Sequence, residues 1–520
     1  MKKISYLMLI FLFVSCSDYL EEEVFSSSQT SNFYQNEQQG ISALNGVYAA
    51  LRETYFSYRN DYQFAQMLEG PTGTVVQNGL YNDMNYSDTQ LKNIGETWDR
   101  MWVCVNRAST LIRLLKVENI EESSVKRILA EAKFLRAVCY FNLVRMWGQV
   151  PIMNGVTSLE EGYPVKSSES DVYKFIIEDL KSAAQDLPKW NEYSSLGQPS
   201  ASGTLLNNYQ NYEPGRATKG AAQGILAKVY LTIASSINSN ANRFDNAFDM
   251  NEMYTNAKMM CEEVYNGGHG YGLIDNYFDV FQEENENGME DIFSINFTEG
   301  TDVKVGNSLA SVTGIRRAGI LSEEKQTMRA EPSFLEEFDD ADERKEATFV
   351  LRYYDKNENL LTFENRDYRI LPYKKYWSDY QLSPDNIPMV RTTYQWNTSP
   401  LVTGHFGDDI PVLRYSDLLL MYAEALHALG DDALALERVA DVRERANLGR
   451  IMPPGDVLEL IISERRRELC FENQLWFDYL RLNLTPRYRP DLADSKYKYF
   501  PIPVADLMSY PGLRPQNPGW

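Results

Sequence analysis

The run from Leu129 to Met153, LAEAKFLRAVCYFNLVRMWGQVPIM, constrains this chain more than any other stretch. Ala130, Phe134, Val138 and Phe141 recur at helical spacing, and Leu135, Cys139 and Leu143 widen the stripe into a broad apolar face. Gly148 supplies the stop and Pro151 stands beyond it, since neither residue continues a helix cheaply. Tyr140, Phe141 and Trp147 are too bulky to face solvent, so other elements must pack on them. The segment is a core helix and carries no chemistry of its own.

Further helical patterns flank it. Gln39 to Tyr55 has an apolar stripe of Ala43, Leu44, Val47, Tyr48 and Leu51; Gln90 to Val117 has Trp98, Trp102, Val105 and Ala108 on one side. Ser168 to Leu187 follows, with Ser170 or Asp171 as N-cap and Pro188 at its end. Ala217 to Ile237 carries Gly220, Ala221, Ala222 and Gly224, small enough for close helix–helix approach, and Glu252 to Tyr265 adds a short helix. Later, VLRYSDLLLMYAEALHALGD reads as a helix closed by Gly430, Asp431 or Asp432 caps the next through Arg445, and a third runs from Asp456 to about Leu482. The alternation Glu464, Arg465, Arg466, Arg467, Glu468 reads mainly as surface pairing at i,i+4. Residues 56–89 read as a long loop, and 267–410 as an irregular region with a few short strands.

The first residues read as a targeting segment. Lys2 and Lys3 precede the apolar run Ile4 to Val14, too short to span a bilayer, and Ser15 precedes Cys16. Ser15-Cys16 looks like a bacterial lipoprotein cleavage site with Cys16 as the lipidated residue, although Phe13 stands where such sites prefer Leu. Cys104, Cys139, Cys261 and Cys470, each inside a helical pattern, are expected to be buried free thiols. A net charge of −22 without a basic block excludes nucleic acid as a partner and weakly disfavours a polyanionic ligand.

Catalytic signatures are missing. Of the three histidines, His427 lies in an apolar helix and His269 in a Gly-Gly-His-Gly turn; HExxH, GxSxG and phosphate-loop patterns do not occur. The pairs Asp339-Asp340, Asp408-Asp409 and Asp431-Asp432 sit at turns or helix boundaries, where Asp caps and solvates. The reading is therefore not an enzyme and no cofactor. A structural calcium ion on an Asp/Asn loop stays open, without an EF-hand pattern to support it.

The phrase AEAKFLRA-x-x-YF-x-L-V-R-x-W-G-x-V-P resembles the hallmark helix of the SusD/RagB family, the surface glycan-binding lipoproteins of Bacteroidetes nutrient uptake. LNGVYAALR, FPIP and QNPGW are similar to other family phrases, so the likeness covers nearly the whole mature chain. It implies a predominantly α fold, with tetratricopeptide-like helical repeats forming a right-handed scaffold and an irregular loop-rich region carrying a few short strands. The expected order is a signal peptide over 1–15, a tether over 16–38, a helical frame over 39–266, an irregular part over 267–410 and a C-terminal helical part over 411–520. The implied function is glycan capture for a SusC-like TonB-dependent transporter, with the protein anchored to the outer membrane through Cys16. Oligopeptide binding, or a protein-interaction scaffold, is the alternative. The family places ligands between an early loop and the middle region. It fixes no residues there; the expected contacts are loop side chains that the helical frame does not need, Tyr81, Asn82, Asp83 and Tyr86, with Asn296, Arg316, Trp377, Tyr380 and Trp396.

Overall fold

The computed structural model describes residues 33–55, 63–77, 81–155, 163–195, 215–298, 309, 313, 327–354, 359–362, 381–382, 388–389 and 407–520. The fold is predominantly α with a few short strands. Helices α1 (Glu37–Tyr55), α2 (Gln63–Glu69), α3 (Asp88–Leu114), α4 (Glu122–Trp147), α5 (Glu169–Asp186), α6 (Trp190–Ser195), α7 (Lys219–Asn238) and α8 (Met250–Asn266) build the first half. Packing follows chain order: α3 lies on α4, α4 on α5 and α7 on α8, while α1 covers α3 and α4. In the second half α9 (Pro332–Leu335) and α10 (Glu343–Thr348) precede α11 (Tyr415–Ala428), α12 (Asp432–Arg445), α13 (Val457–Glu468) and α14 (Leu475–Arg481). Helix α11 packs on α8 and joins the two halves. Among the described residues no helix is long and apolar enough to cross a membrane.

Helix ends follow local chemistry. Ser87 and Gln90 form a reciprocal capping box at the start of α3. Ser168, just ahead of Ser170 and Asp171, is the N-cap of α5 and accepts from the Asp171 N–H. Asp431 caps α12. Helix α4 ends at Gly148, whose φ of +70° favours glycine. Two carbonyls of its last turn would lack helical donors. The chain's final segment supplies them: Phe500 N–H donates to the Met146 carbonyl (2.8 Å) and Asn517 Nδ2 to that of Trp147 (3.0 Å). Trp147 Nε1 donates back to the Pro501 carbonyl, and Trp98 Nε1 to Asp506 Oδ2 (2.6 Å). The family-like FPIP and QNPGW phrases thus clamp α3 and α4.

Three stretches depart from the sequence reading. Residues 56–89 are not one loop: Phe64, Met67 and Leu68 at i, i+3, i+4 make buried α2, and β1 (Val75–Gln77) pairs antiparallel with β3 (Met328–Ala330). The α11 phrase begins as β8 (Ile410–Arg414), antiparallel to β2 (Asp291–Ile295), and this ribbon packs against α7. Gly224 is tight for that reason, since a Cβ there would lie 2.4 Å from Leu413 Cδ2. A further small sheet runs β5 (Leu360–Thr362), β4 (Arg352–Tyr354), β7 (Pro388–Met389), β6 (Gln381–Leu382). Finally, the third C-terminal helix is broken between α13 and α14 by positive φ at Phe471 and Asn473.

That break serves a buried ionic block, which corrects the surface-pairing expectation. Glu464, Arg465, Arg466 and Glu468 are all buried. Arg414 bonds Glu290 (2.7 Å), Glu468 (3.1 Å) and, across the break, Glu472 (2.7 Å). Glu468 also faces Arg344 and Arg445, and Arg344 adds Asp342 and Glu464. Nearby, Asp417 meets Lys228 (2.7 Å) and Arg465 (2.8 Å), and Arg481 meets Glu424 and Asp478. Burial pushes the Asp417 carboxyl upward, but Lys228 and Arg465 together outweigh it and hold the group at about 2. The remaining cysteines, 104, 139, 261 and 470, are buried free thiols.

Candidate functional site

A cavity of about 390 Å³ opens where α1 meets β2 and the segment entering α7. Asn45, Tyr48, Ala49 and Arg52 line it from α1, at the spacing that puts them on one helix face. Glu131 of α4 fixes the opposite wall. It accepts from Tyr48 Oη (2.7 Å) and Arg216 Nη1 (3.0 Å), while Tyr48 Oη accepts from the Ala217 N–H (2.9 Å). Arg216 Nη2 also donates to Asn45 Oδ1 (2.9 Å). At Gly215, φ is +83° and a Cβ would lie 1.8 Å from Asn296 Oδ1, so backbone and amide meet where only glycine fits.

Among the described residues, Asn296 is the one expected contact that lines this cavity. Its Nδ2 donates to Asn287 Oδ1 (3.0 Å) and to Asp409 Oδ2. Asp409 Oδ1 accepts from the Phe297 N–H (2.8 Å); burial first, then Glu286, push its carboxyl up to about 9. Behind it, burial raises Asp291 to about 6. No Asp or Glu is among the described lining residues.

Packing corrects the early-loop expectation at Tyr81, Asn82 and Tyr86. Tyr81 is fully buried, leaving no face for a ligand. Asn82 staples β1, donating to the Val75 carbonyl (2.8 Å) and accepting from the Gln77 N–H (3.2 Å). Tyr86 stacks on Trp520 at 5.2 Å between ring centroids. Asp83 alone is exposed, and it accepts from the Asn85 N–H. None of the four lies with Asn296. Arg316, Trp377, Tyr380, Trp396 and Cys16 lie outside the described residues. The sequence reading missed Asn45 and Arg52, although their i, i+7 spacing along α1 was legible; the neighbouring apolar stripe drew attention to the other flank.

A second opening, of about 430 Å³, lies between α3 and the final segment, lined by Trp98, Trp102, Asp99, Met153 and Tyr510. Its aromatic walls belong to the clamp. Elsewhere, burial pushes the His269 imidazole down to about 4, and His427 Nδ1 lies 2.6 Å from Asp432 Oδ1, tying α11 to α12. Among the described residues no group of three or more His, Cys, Asp or Glu is arranged to hold a metal ion.

Residues 18–231 match the family described as "Starch-binding associating with outer membrane", and residues 225–520 match the SusD family. SusD-like protein P2 of Formosa agariphila is 25% identical over 561 aligned residues, covering 100% of this chain and 99% of that one. A SusD homologue from Bacteroides thetaiotaomicron shares the fold with a TM-score of 0.75 at 20% identity, over 94% of this chain and 98% of that one. A laminarin-binding SusD-like protein superposes with a TM-score of 0.70 at 24% identity, over 94% and 100%. With more than half of its length matched, and with the fold to go with it, the chain belongs to the SusD family.

Proposed function

We propose that this protein is a non-enzymatic, surface-exposed lipoprotein of the outer membrane that captures a glycan and passes it to a SusC-like TonB-dependent barrel. The family match carries this reading: one of its two descriptions speaks of starch binding in association with the outer membrane, and a protein of the same fold is named for binding laminarin. The cavity agrees with it. Amide and guanidinium groups of Asn45, Arg52 and Asn296 at its wall suit a hydroxyl-rich ligand. A glycosidase needs two carboxyl groups flanking the bond it cleaves, and the described lining offers neither. Lys2, Lys3, the apolar run and Ser15-Cys16 supply the anchor. A tethered binder cannot itself cross a membrane, hence the transporter.

An array of glycans and oligopeptides probed with the full chain tests the capture step. Retention of an intact saccharide is the expected result; peptide-only binding, or release of new reducing ends, would overturn it. Cys16→Ala should free the protein from membranes, and unchanged fractionation would remove the anchor from the proposal. Gentle extraction that yields only a lone monomer would count against the barrel.

A further inference from the structure

The net charge of −22 describes the whole chain, and the cavity on α1 departs from it. Two guanidiniums, Arg52 and Arg216, line it, with no carboxylate among the described lining residues. Arg216 is matched by Glu131 at 3.0 Å. Arg52 is half-buried, makes no ion pair or hydrogen bond with any described residue, and its Nε is buried without an acceptor. An unmet donor on a partly desolvated cation is costly. A buried Nε without a hydrogen-bond partner recurs at Arg127, Arg438, Arg443, Arg445 and Arg467, but each of those guanidiniums is paired with a carboxylate, and Arg344, Arg414, Arg465 and Arg481 each meet at least two. Arg145, half-buried without an ion pair, is instead stacked between Phe141 and Phe477 at 3.8 and 3.7 Å and donates to the Phe141 carbonyl. Arg52 has neither remedy, and it alone of these faces a cavity large enough for a sugar ring.

We infer that Arg52 receives an anionic group of the captured saccharide, a uronate carboxylate or a sulfate ester, so that the cavity selects acidic glycans over neutral ones. The inference rests on the glycan-capture reading and names the charge class of the ligand. A guanidinium presents paired donors that match the oxygens of either anion. Asn45 Oδ1 is spent on Arg216, which leaves its Nδ2 to donate to a neighbouring hydroxyl. Asn296 Nδ2 is spent on Asn287 and Asp409, which leaves its Oδ1 to accept. Together they offer one anion site flanked by one donor and one acceptor. The weak bias against anionic ligands drawn from composition is thereby reversed at the site itself.

The test uses the full-length protein in detergent and polymer pairs that share a backbone: polygalacturonate with its methyl ester, and carrageenan with its desulfated form. At least one acidic member should bind at least tenfold tighter than its neutral mate, and the difference should shrink as sodium chloride is raised. Arg52→Gln should lose that preference while melting like the wild type, and Arg52→Lys should keep part of it. Whichever pair responds identifies carboxylate or sulfate. Equal binding of both members, or a preference intact in Arg52→Gln, overturns the inference and leaves glycan capture standing. Binding of oligopeptides with no binding of any polymer, neutral or acidic, overturns both. If Arg52→Gln fails to fold, the salt series on the wild type decides, and a salt-independent preference overturns the inference.

Discussion

The two halves of the frame are held by opposite chemistry. On one side Trp98, Trp102, Tyr140 and Trp147 meet edge to face, Phe500 packs on Trp147, and Trp147 and Trp520 direct their Nε1 donors to the Pro501 and Tyr499 carbonyls. On the other, around β8, α11, α13 and α14, the interior is ionic: Arg344, Arg414, Arg445, Arg465 and Arg481 each sit among carboxylates with almost no exposure. The apolar clamp gains from leaving water, whereas the ionic block gains only because every charge is matched. One half therefore tolerates a change of size poorly, and the other a change of charge.

Four experiments would break or sharpen that contrast. Glu468→Ala should have the largest effect. Losing one partner of a buried pair costs roughly 3–5 kcal/mol, and here three guanidiniums lose theirs, so little folded protein should survive in urea titrations. A mild effect would mean that water already reaches the block. Trp147→Ala should cost about 3–5 kcal/mol through lost contacts and the cavity left behind. Its loss should be independent of pH between neutrality and mild acid, and a pH-dependent loss would contradict the division drawn here.

Acid should separate the halves directly. Asp417 is held at about 2, below its unfolded value of 3.8, so its contribution is complete above that value and fades as pH falls through about 2. The difference corresponds to about 2 kcal/mol. The urea midpoint should fall over that window in the wild type and less steeply in Asp417→Asn; parallel curves would show the pairing to be energetically silent. The smallest effect belongs to Arg52→Gln. That guanidinium serves neither half, so melting should shift by no more than ~0.5 kcal/mol, as for ordinary surface changes. A clear destabilisation would make Arg52 part of the frame.

The apolar half could be read from the sequence because periodicity reports burial of apolar faces. Leu129 to Trp147, the Trp98 stripe and Gly148 stand where their spacing put them. The ionic half could not. Glu464 to Glu468 has the composition of a solvated helix surface, and only the positive-φ turn at Phe471 and Asn473 brings Glu472 round to Arg414. Tyr81, Asn82 and Tyr86 misled for a related reason: turn formers around them resemble a binding loop, while the two tyrosine rings pack into or against the core and the Asn82 amide is spent on β1. The cavity was legible only in part. Asn296 was in view, but Arg52 belongs to an ordinary amphipathic helix, and its lack of a partner is a property of three dimensions alone.

The strap over α4 also has a consequence in time. Synthesis delivers the chain from its N-terminus, so α3 and α4 emerge hundreds of residues before Phe500 and Asn517 arrive to take up the Met146 and Trp147 carbonyls. Throughout that interval the Trp98 and Trp147 surface waits uncovered, the kind of exposed apolar face that invites misassembly. Whatever handles the chain in that interval must therefore shelter an unfinished protein, and the segment around Phe500 and Asn517 acts as the latch that ends its dependence on escort.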